Sequence, residues 1–157
     1  MIDLKRRALV KGSLAASAIG FVVAAGLLIP RSVLAAWNAL AFRAEDPATA
    51  LQEMLGTEDH TPSEEVRIRA PDNAENAAAV RVTVETDLED AESISIIASG
   101  NRYPLLASFE LGPRAEGFIE MNIKMAETAD VVAVVKRGDS LFSAAKNVHV
   151  TEGGCAG

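Results

Sequence analysis

The residue best equipped for chemistry in this 157-residue chain is Cys155, its only cysteine. Gly153 and Gly154 precede it, and Ala156 and Gly157 follow. A free cysteine that serves packing behaves as a small hydrophobe inside a strand or helix, and nothing beside Cys155 could pack it. Glycine has more backbone freedom than any other residue, so residues 152–157 read as a flexible arm that holds a thiol away from the body. Five residues beyond Val150, at about 3.4 Å each, give the sulfur a reach of roughly 17 Å. The thiolate is the reactive form, and an ordinary thiol is ionised to only a few per cent near neutral pH. Glu152 and the terminal carboxylate disfavour ionisation further, and the arm contains no Lys or Arg to promote it. Activation must come from whatever site receives the arm.

The remaining inventory of reactive groups is thin. His60 and His149 are far apart and no second cysteine exists, so the spacing of a zinc site fails. His149 alternates with Val148 and Val150 and reads as a surface histidine. No glycine-rich phosphate loop opens a helix and no nucleophile elbow is present. The acidic run Glu85, Asp87, Glu89, Asp90 and Glu92 has the character of a solvated loop rather than a metal cage. No catalytic residue, metal or cofactor is therefore expected. Three other readings of the thiol stand beside a covalent carrier. It could be an incidental group on a frayed terminus, or the intermolecular disulfide of a pure interaction module. It could also be the nucleophile of a sulfurtransferase, although no anion-binding loop surrounds it.

The amino-terminal region supplies a compartment. Lys5-Arg6-Arg7-Ala8-Leu9-Val10-Lys11 is a twin-arginine pattern, with Arg6 and Arg7 as the export signal. An apolar run from Gly12 to Ile29 follows, and ten of its eighteen residues are Ala, Gly or Ser, so it is only weakly hydrophobic. As a helix it would span roughly 27 Å, just short of a bilayer core. Pro30 and then Val33-Leu34-Ala35 resemble a cleavage site, which places cleavage after Ala35. The expectation is export to the periplasm by the twin-arginine route, with no stable membrane anchor. In an oxidising compartment a solitary cysteine points to intermolecular pairing or a reactive thiol. Residues 1–35 carry a net charge of +4, and subtracting this from the whole-chain −7 leaves −11 for residues 36–157. An acidic body argues against nucleic acid and anionic membranes as partners and is compatible with a basic protein partner.

The elements that must position the arm follow from periodicity. Residues 36–64 form an amino-terminal helical segment and loop. Asp46 is a helix N-cap, Pro47 fits the first turn, Ala48, Leu51, Met54 and Leu55 recur at helical spacing, and Gly56 stops the run. Trp37, Leu40 and Phe42 are expected to pack on the body, and 57–64 to be a loop. Over 65–151 the period becomes two. Val66 and Ile68; Val80, Val82 and Val84; Ile94 and Ile96; Leu105, Ala107, Phe109 and Leu111; and Ile119, Met121, Ile123 and Met125 mark one-sided strands. Val131–Val135 is a continuous apolar run suited to a strand covered on both faces, and Ser140 to Thr151 is the last strand. The fold class is all-β: an immunoglobulin-like antiparallel β-sandwich of about seven strands, preceded by a short helix and a cleavable signal segment. The arm is expected to leave directly from a sheet edge.

Three stretches carry a resemblance to a known family. Val150-Thr151-Glu152-Gly153-Gly154-Cys155-Ala156-Gly157, the segment Lys124 to Lys136, and Ile68 to Asn76 resemble the SoxY family, the carrier subunits of the Sox sulfur-oxidation system. Those proteins typically end in Gly-Gly-Cys-Gly-Gly, and Ala156 departs from that pattern. The resemblance implies that Cys155 is the attachment point for thiosulfate-derived sulfur intermediates and that Gly153, Gly154, Ala156 and Gly157 form its carrier arm. It implies a heterodimer with a SoxZ-like subunit. It also implies transient work by a SoxAX-like c-type cytochrome, which would load the thiol, and a SoxB-like hydrolase, which would release sulfate. The chain itself would be a carrier and not an enzyme.

Overall fold

The structure, a computed structural model, describes residues 38–151. The described residues belong to a single compact unit that begins at Asn38. Arg6, Arg7, the Ala35 cleavage point, Trp37, and the arm residues Gly153, Gly154, Cys155, Ala156 and Gly157 lie outside the described residues. Among the described residues no helix is long and apolar enough to cross a membrane.

A 3₁₀ turn at Ala41–Arg43 leads into helix α1, Pro47–Leu55. The helix begins where its cap chemistry dictates. Asp46 takes an extended conformation and its carboxylate accepts from the Ala48 and Thr49 amides at 3.3 and 2.8 Å. It also accepts from the Thr49 hydroxyl, and that bond is the main cause holding the Asp46 carboxyl below its ordinary pKa. Gly56 ends the helix at φ +87°, a left-handed conformation that glycine adopts without strain.

Nine strands follow: β1 Thr61–Pro62, β2 Val66–Arg69, β3 Asn73–Ala74, β4 Val80–Thr86, β5 Ser93–Ala98, β6 Leu105–Glu110, β7 Phe118–Ile123, β8 Ala129–Arg137 and β9 Ser140–Val150. They form two sheets, one in the order β1-β9-β8-β5-β6 with β3 also pairing β9, the other in the order β2-β4-β7. The seven longer strands are the seven expected from periodicity, and their pairings with one another are all antiparallel. β1 and β3 are additions. Each has two residues and runs parallel to β9, so the sandwich is not purely antiparallel and 57–64 is not purely loop. Two residues are too few to display a period, and that is why alternation does not reveal them.

Between the sheets lies the main core. Val66, Val80, Val82 and Val84 from one sheet pack with Ile94, Ile96, Val131, Ala133, Val135 and Val148 from the other. A second core covers the outer face of the larger sheet. There Ala41, Ala50 and Leu51 from the helical segment pack on Ile97, Leu105, Val134 and Leu141. β5 and β8 are thus covered on both sides, which explains the uninterrupted apolar run of Val131–Val135. Phe42 packs against this second core, whereas Leu40, expected on the body, is 69% exposed.

One register detail breaks the expected alternation of β6. Ile96 pairs with Ala107 but Ile97 pairs with Leu105, so Leu106 is an extra residue in a β-bulge. Leu105 is consequently turned into the helix-side core, while Leu106, Phe109 and Leu111 pack on the main one. Leu51, 3% exposed, is the anchor of α1 on the sheet. Truncation by Leu51→Ala is expected to cost about 2–4 kcal/mol in denaturant unfolding, with loss of helix signal preceding loss of the strands.

Candidate functional site: the root of the cysteine arm

The arm grows from β9, the longest strand, and the structure shows how its root is held. On one flank β8 pairs with β9 from Arg137↔Ser140 to Ala129↔Val148. On the other, β3 runs parallel to the last residues, pairing Asn73 with His149 and Ala74 with Val150. The end of β9 is therefore not the sheet edge expected from sequence, because β3 pairs with its last residues. β3 reaches this position because Asp72 and Ala74 offer carbonyls to β9: the His149 amide donates to Asp72 O at 2.9 Å and the Thr151 amide to Ala74 O at 3.2 Å.

Side chains reinforce the same point. The Thr128 hydroxyl accepts from the Val150 amide at 2.9 Å and lies 3.1 Å from His149 Nδ1. Lys146 Nζ donates to Asp72 Oδ1 at 2.6 Å, tying β9 to the residue preceding β3. That hydrogen bond, and then the charge of Lys146, hold the Asp72 carboxyl below its ordinary pKa. Asn147 donates to Asp130 Oδ1 at 2.8 Å across the hairpin. Beneath them Val148 is fully buried and Ala74 is 5% exposed, so the last turn of chain before the arm is seated on the main core.

The loops at this end form an open groove of about 690 Å³. The turn after β5 is fastened to the turn after β7 by Asn101, whose amide donates to Lys124 O and whose oxygen accepts from the Ala126 amide, both at 2.8 Å. Met125 donates to Ala77 O at 2.9 Å, which joins the β3–β4 loop to the same wall. Ala77, Ala78, Tyr103 and Met125 make the groove largely apolar. Of its two cations, Arg102 is engaged by Glu45 at 3.0 Å, and Lys124 remains at the rim.

The other groups weighed from sequence do not assemble. His149 is exposed at the root, whereas His60 bonds Ser143 at 2.9 Å. Ser143 and His149 are six residues apart on β9, so the two histidines are separated by roughly 20 Å. The acidic run is spread out: Glu85 and Asp87 serve Arg67 and Arg69 on neighbouring β2, and Glu92 lies 3.9 Å from Lys136. No group of three or more His, Cys, Asp or Glu side chains that could hold a metal occurs among the described residues.

Residues 51–155 match the family described as sulfur oxidation protein SoxY. The chain belongs to the SoxY family. The match begins inside α1 and ends on Cys155, so it takes in the sandwich, the clasped root and the thiol. The structure of the sulfur carrier protein SoxY from Chlorobium limicola f thiosulfatophilum is similar, with 37% sequence identity and a TM-score of 0.60. The similarity covers 66% of this chain and 94% of that one. A PKD domain of an M14-like peptidase from Thermoplasmatales archaeon SCGC AB-540-F20 is far weaker, at 17% identity and a TM-score of 0.36 over 58% of this chain and 97% of that one. It carries no argument here. Comparison with curated proteins yields no match. As a SoxY-family member, the chain has the immunoglobulin-like sandwich expected from its periodicity and a carrier role in sulfur oxidation.

What sequence reasoning missed is the clasp. Its partners lie up to 77 residues apart, as in Thr151 and Ala74, and its short strand reads as a turn beside Pro71. Asp72→Asn removes the charge that Lys146 neutralises. Because the Asp72 pKa is depressed in the folded state, this contribution is present above about pH 4 and disappears as pH falls through the folded value. Amide exchange at His149 and Thr151 should therefore be faster in Asp72→Asn than in wild type at pH 7, and the difference should vanish in strong acid. An equal difference at both pH values would contradict the role given to the ion pair.

Proposed function

We propose that the protein is a periplasmic covalent sulfur carrier that holds thiosulfate-derived intermediates on Cys155 and presents them to Sox enzymes. The observation that carries this reading is the family match that ends on the one cysteine, joined to a sandwich that anchors the chain up to Thr151. Gly153, Gly154, Ala156 and Gly157 act as the carrier arm, and Arg6 and Arg7 direct export by the twin-arginine route. A SoxZ-like subunit is the stable partner, while a SoxAX-like cytochrome and a SoxB-like hydrolase act on the arm in turn.

The chemistry divides between carrier and partners. In loading, the Cys155 thiolate and the outer sulfur of thiosulfate form an S–S bond and release two electrons, which the c-type haem partner accepts. Water then cleaves the S–SO₃ bond on the hydrolase, giving sulfate and leaving a persulfide on Cys155. The chain needs no oxidant or base of its own for either step. It must hold the adduct covalently, since its acidic body would retain a free anion poorly. An arm from a fixed root lets one adduct visit several active sites with little search, because only the few residues beyond the clasp reorient.

Cys155→Ser is expected to abolish thiosulfate-dependent electron transfer in a reconstituted system while leaving the thermal melt unchanged. Residual turnover above the background without carrier would reject Cys155 as the attachment site. Ala156 restricts the backbone beside the sulfur by an amount on the order of 0.5–1 kcal/mol relative to glycine. Ala156→Gly should therefore raise the rate of transfer to partner enzymes about two- to fivefold, and no change in that rate would count against a role for arm flexibility.

A further inference from the structure

The two flanks of β9 are not equally committed to its last residues. β8 pairs with the strand only as far as Ala129↔Val148. Past that point its flank contributes the Thr128 hydroxyl, which accepts from the Val150 amide at 2.9 Å. The opposite flank takes over there. The His149 amide donates to Asp72 O at 2.9 Å and the Thr151 amide to Ala74 O at 3.2 Å, with Thr151 Oγ1 on the same carbonyl at 3.4 Å. His149 and Thr151 are thus held by β3, and β3 begins where the β8 ladder stops.

β3 is itself lightly seated. It lies in the connection between β2 and β4, residues 70–79. Ala74 is buried, but Asp72, Asn73, Glu75 and Asn76 around it are exposed, so the apolar group that β3 buries is one methyl. The Asp72–Lys146 pair is open to water at its Asp72 end, where an ion pair contributes little. Firm anchorage resumes at Ala77, which is buried and whose carbonyl accepts from the Met125 amide at 2.9 Å. On the other side of the boundary Val148, Val131 and Ala133 are fully buried in the main core. Local stability therefore steps down between Val148 and His149. A segment with few buried contacts and exposed hydrogen bonds opens as a unit while the core stays intact.

Opening has a defined consequence for reach. It frees residues 149–151, which at about 3.4 Å each add roughly 10 Å to the chain in front of Cys155. Half-buried Val150, which packs on the main core, is the apolar side chain uncovered when these residues are drawn out. The amides released from Asp72 and Ala74 find water or a partner's wall as new acceptors, so their loss is offset in part.

We propose that β3 is a strap that opens when the arm enters a partner's active site, giving the carrier a short setting rooted at Thr151 and a long one rooted at Val148. This deepens the carrier reading and rests on it. A shallow site accepts the short setting. A deep site binds the long setting better, because only then does the sulfur reach the reacting groups, and that difference in affinity drives the opening. The free protein keeps the strap closed, and the sandwich is the same in both settings.

The test is amide hydrogen exchange of the full chain, alone and saturated with the partner hydrolase. Alone, His149, Val150 and Thr151 are expected to exchange together, at least tenfold faster than Val148. With the hydrolase bound they should exchange at least tenfold faster again, while Val148 and Val131 are unchanged. Thr128→Val removes the hydroxyl that holds Val150. It should speed all three amides in the free protein and lower the hydrolase KM for the loaded carrier about two- to fivefold at constant kcat, a change that a merely structural role would not produce. Should Thr128→Val fail to fold, Ala74→Gly loosens the strap from its other side and carries the same expectations. Exchange of residues 149–151 as slow as that of Val148, or no acceleration in the complex, would overturn the proposal. So would an unchanged KM in a variant whose amides exchange faster. The carrier reading fails by a different result, the inability of Cys155 to take up sulfur, which leaves the exchange of the free protein as it is.

Discussion

The pairing of β9 along both of its flanks is the constraint on which the rest of the structure depends. On the inner side the β8–β9 hairpin is driven by burial. Val131, Ala133 and Val135 face the main core and Val134 faces the helix-side core, so the hairpin cannot shift register without exposing one set or the other. Its turn is a two-residue loop, with Gly138 in the first position at φ +58°, where a side chain would be strained. On the outer side β3 and the Asp72–Lys146 pair add no large apolar burial. They close an edge and satisfy the amides of His149 and Thr151. The large energy comes from the hairpin, and the definition of the strand's end comes from the clasp.

That division of labour suits a carrier. A thiol on a long loose segment would search a large volume before meeting any partner site, and a thiol on a rigid strand could not turn to face several. On the proposal that Cys155 carries the sulfur, a chain fixed up to Thr151 keeps the volume open to the thiol small and its centre constant. The helix-side core covers the outer faces of β5 and β8 and, through Leu105, reaches β6 as well.

Much of this was legible in the amino-acid order, for identifiable reasons. The long strands announced themselves because each buries one face, and Val131–Val135 did so because it buries two. Asp46-Pro47 and Gly56 marked α1 because cap geometry is local. The thiol stood out by its solitude and by the poverty of other reactive groups. What escaped is non-local or too short to have a period. β1 and β3 have two residues each, and their partners on β9 are more than seventy residues away. The bulge at Leu106 turned Leu105 to the opposite core, a choice made by packing against Leu51 and Ile97 rather than by alternation. Leu40 looked like a core residue by type and is exposed by position.

The central claim is that sulfur is carried on Cys155 of a chain otherwise built as support. Intact-mass measurement of the protein after exposure to thiosulfate and its loading partner, followed by peptide mapping, tests it most directly. A thiosulfonate or sulfane adduct located on the Cys155 peptide and absent from Cys155→Ser is the predicted result. Recovery of only unmodified thiol or an intermolecular protein disulfide under the same conditions would contradict it.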